Sequence, residues 1–293
     1  MLTGINMLCF SASYAIALGL EVYGLWSQAR LRRMALLAWS FAGLVAHTWY
    51  LGRRVAETSS APLATHQDWY ILAAWALAII YLAAKFYYRK SSMGLFLLPA
   101  VLGLIGASTF ASTVPLATFQ APRVWGLIHG LFLMFGTVAV LLGFLAGLMY
   151  LVQSYRLKHM IGRSEGLRLP SLEWLERVNS RSLGAATFFV GGGFFTGILS
   201  RLASSGGQPG TRNGVPWTDP VVLTLGGMLA WLVAAEVFRL VYPAARQGRK
   251  IAYLTVAAFV FLLFALVAMT RDDSLHMVPA TETATKTSAE VSL

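Results

Sequence analysis

Apolar residues run through this chain in long stretches, and polar residues collect between them rather than alternating with them. A helix needs about 20 mainly apolar residues to cross the hydrocarbon core of a bilayer. The chain offers eight such stretches, near 4 to 26, 34 to 52, 68 to 88, 93 to 114, 124 to 153, 182 to 204, 219 to 242 and 251 to 270. This pattern predicts an all-α polytopic membrane helix bundle of about eight transmembrane helices, forming a single domain over 1–278. The polar, aromatic-free stretch 279–293 is expected to be a disordered tail.

Composition agrees with the pattern. Of 293 residues, 57% are hydrophobic and 12% charged, a balance that a soluble domain does not have. The net charge of +11 acquires a meaning only when the basic residues are assigned to loops. With the N-terminus outside, the inner segments hold Arg30, Arg32, Arg33, Lys85, Arg89, Lys90, Arg156, Lys158, Arg163, Arg168, Arg177, Arg181, Arg239, Arg246, Arg249 and Lys250, which is 16 of the 23 Lys and Arg residues. Positively charged loops are retained on the cytoplasmic side, so both termini are expected outside, in an inner (plasma) membrane. The cations then form an inner rim facing anionic lipid, and no nucleic-acid partner is needed to account for them. No basic residue precedes the first apolar stretch, which is therefore expected to be a retained span rather than a cleaved signal.

Cys9 is the only cysteine in the sequence. That excludes an intramolecular disulfide, a paired-cysteine redox motif and a covalent C-x-x-C-H haem attachment. In the loop before span six, Ser171 can cap a helix, with Glu173 and Glu176 near its positive end and Leu172, Leu175 and Val178 on one face. A short helix over 171–181, lying on the inner surface, is expected.

Four of the five histidines, His47, His66, His129 and His276, fall at the outer side under this threading, and His159 falls on the inner surface. Imidazole is a common ligand for iron and other borderline metals, so a cluster at one depth hints at a site. His129 lies between Gly126 and Gly130, where its ring can project without being walled in by its own helix. The same side carries Trp217-Thr218-Asp219-Pro220. That turn reads either as an interfacial tryptophan followed by an ordinary helix start, or as an aromatic shelf beside a polar acceptor. The Gly191-Gly192-Gly193 and Gly197 set in span six reads first as a helix-packing device.

Taken in order, Trp125-Gly126-Leu127-Ile128-His129, Leu169-Pro170-Ser171-Leu172-Glu173, Trp217-Thr218-Asp219-Pro220, and Gly248-Arg249-Lys250 with Leu275-His276 after the last span resemble the haem-handling membrane proteins of cytochrome c assembly. The nearest branches are CcsA and HemX, with ResC and CcmC as wider kin. The resemblance runs over roughly 4–277. It implies non-covalent, b-type haem at the outer (periplasmic) face, with His129 and His276 as metal ligands and with Trp217 and Asp219 at the cofactor. It also implies a second assembly subunit and apocytochrome c as partners, and no enzymatic reaction. Two features depart from the fuller pattern: Val221 and Val222 follow Pro220, and span seven has no inner histidine. This reduced pattern is closer to the HemX branch, which keeps a membrane regulator or adaptor of haem biosynthesis as the alternative function. A transmembrane b-type cytochrome would want histidine pairs at two depths, and a transporter broken helices with midplane ionisable groups. The sequence offers neither.

Overall fold

A computed structural model describes residues 6–27, 29–57, 65–89, 91–111, 113, 123–159, 167–204, 219–242 and 248–269. Among them are eight helices: α1 (Met7–Tyr23), α2 (Arg30–Glu57), α3 (His66–Tyr87), α4 (Gly94–Phe110), α5 (Arg123–Lys158), α6 (Leu172–Ser204), α7 (Pro220–Val241) and α8 (Arg249–Met269). Six are long and apolar enough to cross a membrane; α1 and α4, of 17 residues each, are apolar but shorter. Each predicted span corresponds to one helix. The regions 205–218 and 270–293 lie outside the described residues, and with them Trp217, His276 and the expected tail.

The helices pack as two groups of four. In the first, α1 lies against α2 and α4, and α3 against α2 and α4. In the second, α5 lies against α6 and α8, and α7 against both of the same two helices. The groups meet mainly where α3 passes α5. Sequential neighbours are antiparallel. Between α5 and α6, for example, His129 meets Gly193 and Gly197 near one end, while Gly143 meets Ser182 nearer the other. Large apolar side chains such as Phe41, Phe110, Phe188, Phe195 and Phe264 point outward. Between 22% and 56% of each long apolar stretch is buried in the protein, so most of the remaining surface demands an apolar solvent. The architecture is that of a multi-pass membrane helix bundle.

The basic chain segments gather at one end of both groups. There Arg239 hydrogen-bonds Ser180, Arg249 donates to Ser154 at 2.9 Å, and the Arg168 backbone meets Ser91 and Ser92. Tyr88 packs edge-on to Trp174 across the two groups at this end. The sequence expectation fails here in one respect. The predicted surface helix over 171–181 is the first three turns of α6 itself. Ser171 does cap it, accepting from Trp174 N at 3.3 Å, but nothing between Arg181 and Ser182 breaks the helix. Leu175 and Asn179 are fully buried, which anchors this segment in the bundle instead of on its surface.

Candidate functional site

The end opposite the basic one carries His129 and Asp219. His129 projects from the second turn of α5 toward α6. Its Nδ1 lies 2.8 Å from the Gly193 carbonyl oxygen and 3.4 Å from Thr196 Oγ1. A carbonyl only accepts, so Nδ1 carries the proton and the ring's lone pair is assigned to Nε2. Thr196 is itself fixed, donating to the Gly192 and Gly193 carbonyls at 2.9 Å. A hydroxyl held in that way offers its lone pair to the imidazole N–H. The ring is thus held in one tautomer and one orientation, as a hydrogen bond on the far ring nitrogen holds a metal-ligating histidine.

Glycines make this approach possible. A methyl at Gly192 would collide with Phe132, one at Gly193 with Leu133, one at Gly136 with Val190, and one at Gly197 would press on the His129 ring. The glycine set of span six is therefore a packing device, as the spacing suggests, and it is also what admits the histidine. The Trp69 indole of α3 packs against Gly130, where any side chain would displace it. Sequence reasoning did not pick out Trp69. The available signal was Gly130 itself, a small residue beside the histidine that something large had to cover.

The other histidines go elsewhere. His47 is fully buried in the first group, stacked on Phe10 with ring centroids 4.2 Å apart and with Tyr14 OH 3.5 Å from Nδ1. His66 is buried at the start of α3, beside the Thr65 and Asp68 capping box. His159 is exposed and packs on Tyr155, a surface residue as expected. Among the described residues no group of three or more His, Cys, Asp or Glu side chains could hold a metal ion. His47 and His129 do not come together: each is held within the packing of its own helix pair.

Asp219 caps α7. Its Oδ1 accepts from Val221 N at 2.8 Å, Pro220 occupies the first turn, and the side chain is buried. This is the helix-start reading of the turn. Trp217 and His276 fall outside the described residues. α8 packs against α5 in antiparallel register. Arg249 meets Ser154, Thr255 meets Gly147, and Phe259 stacks on Phe144 at 3.9 Å.

A haem ligand set can be tested against these observations. His129 would suit an iron ligand in one respect: its Nδ1–H is held by the Gly193 carbonyl, which assigns the ring's lone pair to Nε2. No family model matches the chain, and no solved structure matches it. A search of curated proteins finds similarity to the "Cytochrome c biogenesis protein CcsA" of Gloeobacter violaceus, 24% identical in an alignment covering 74% of this chain and 68% of that protein.

Proposed function

We propose that this chain binds haem at the end of the bundle opposite its basic rim and presents it during c-type cytochrome biogenesis. The observation that carries this reading is the clamped His129 imidazole, its Nδ1–H on the Gly193 carbonyl. The similarity to a cytochrome c biogenesis protein supplies the biological context. His129 and His276 are the proposed axial ligands, Trp217 the aromatic shelf, and Asp219 a residue at the edge of the site. Bound haem would supply a flat apolar macrocycle with an iron that takes nitrogen ligands at both faces. The chain's own contribution is to fix and aim the imidazole through the Gly193 carbonyl and Thr196. With both termini on the outer side of the inner membrane, the site opens to the periplasm, where a partner subunit and apocytochrome c would receive the cofactor. No observation favours the regulator reading over this one.

The test is spectroscopic. Detergent-purified protein is expected to show a reduced-minus-oxidised difference spectrum of low-spin, bis-histidine haem. His129→Ala should remove or shift it and impair cytochrome c maturation in a host lacking its own machinery, with protein levels near normal. Imidazole added to the variant should partly restore the spectrum, because free ligand can enter the vacated axial position. His159→Ala should change nothing. A wild-type protein that never carries haem would overturn the proposal.

A further inference from the structure

At the basic end of the first group, the ends of α1 and α3 and the starts of α2 and α4 enclose a notch lined by Glu21, Arg32, Arg33, Lys85, Arg89 and Ser91. Its charges do not balance. Glu21 and Lys85, both buried, neutralise each other across a 2.5 Å ion pair, and Lys85 also donates to the Ser91 carbonyl at 2.7 Å. The carboxylate lies against the N-terminus of α4 at Gly94 and receives the Tyr81 hydroxyl at 3.5 Å, which occupies it further. Arg32, Arg33 and Arg89 also line the notch, and among the described residues no carboxylate pairs with any of them. Arg32 is held in place, its Nη1 donating to the Leu20 carbonyl at 2.9 Å, while its Nε is buried with no hydrogen-bond partner among the described residues. A buried, charged donor left without an acceptor costs free energy that a bound oxyanion would recover.

We propose that this notch is a binding site for a phosphate group. Guanidinium forks match the paired oxygens of a phosphate, and three arginines lining one recess with a serine at its edge provide more donors than a single carboxylate could use. The surroundings favour a phosphate carried by a lipid. Tyr23, Trp26 and Tyr87, at 56%, 77% and 84% exposure, flank the same end of α1 and α3, where amphipathic aromatic rings sit at headgroup level beside acyl chains. The site is thus a specific seat within the basic rim, distinct from the diffuse attraction of the rim as a whole.

Thermal unfolding of the full chain in neutral detergent tests the proposal with three probes: dioleoyl phosphatidylglycerol, inorganic phosphate, and diolein, which has the same acyl chains without phosphate. Phosphatidylglycerol is expected to raise the midpoint saturably and diolein is not. Arg32→Gln and Arg89→Gln should each weaken the apparent affinity by about fivefold, the worth of one basic side chain at an anionic surface. Lys158→Gln and Lys250→Gln, on the rim of the second group, should leave it unchanged. If Arg32→Gln does not fold, Arg89→Gln decides alone, since that side chain is exposed and lies over the Phe86 ring outside the buried ion pair. An arginine-dependent shift with inorganic phosphate as well would identify a free anion as an alternative source and keeps the site. Equal shifts with diolein, no shift with either phosphate probe, or equal losses in the Lys158 and Lys250 variants would overturn it.

Discussion

Two buried polar side chains illustrate how much depends on single residues here. Glu21 and Lys85 are both nearly inaccessible, so neither can lose its partner without stranding a charge where solvent cannot reach it. Lys85→Met is expected to destabilise the protein by about 3 to 5 kcal/mol, and Glu21→Gln combined with Lys85→Met to recover much of that loss. Thermal unfolding of the single and double variants measures both. Asp219 is a milder case. Asp219→Ala removes the cap on α7 and should cost about 1 kcal/mol, whereas Asp219→Asn should cost less because its carbonyl oxygen still accepts from Val221 N. These roles were only partly legible. Asp219 before Pro220 announced a helix start by local chemistry alone, and Ser171 did the same. The Glu21 and Lys85 pair was not visible, because the two residues are distant in sequence and each taken singly looks like an ordinary interfacial charge.

At the scale of helices, the apolar pattern found every element, and most boundaries fall within a few residues of the predicted spans. The exceptions are instructive. α2, α5 and α6 extend past their apolar stretches because nothing in the flanking polar turns breaks a helix, and hydropathy is blind to helix that lies beyond the hydrocarbon. The α5 and α6 pair was foreshadowed by the glycines of 191–197, yet its function in seating His129 needed the register between the two helices, which no single stretch of sequence encodes. Gly193→Val tests that linkage. The added side chain cannot fit against Leu133, and it should cost about 1 to 3 kcal/mol by forcing the helices apart. The same shift would lengthen the His129 hydrogen bond, so any haem spectrum should change in parallel with stability. A stable variant with an unaltered histidine environment would show that the close approach is dispensable.

For the whole molecule, the charge asymmetry along the sequence agrees with the gathering of basic segments at one end of both helix groups. It also makes a topology claim that can be checked with the chain's own economy of thiols. In a background where Cys9 is replaced by Ala, single cysteines placed in the 158–170 segment should react with an impermeant reagent only from the cytoplasmic side, and cysteines after 279 only from outside. Labelling of both in intact cells would contradict the orientation. The expected convergence of several histidines was the weakest whole-molecule inference. It rested on depth alone, and depth does not say which neighbour a ring faces: His47 turned to Phe10 and Tyr14, His129 to α6.

The seam between α5 and α6 also has a consequence for how this protein can change over evolutionary time. Four positions along it have no room for even a methyl group unless a side chain opposite gives way, while the outward faces of the same helices need only remain apolar. Sequence drift should therefore be sharply uneven around each helix. Related chains that keep the histidine should keep Gly192, Gly193 and Gly197 with it, and should freely exchange Phe188 and Phe195 on the outward face for other large apolar residues.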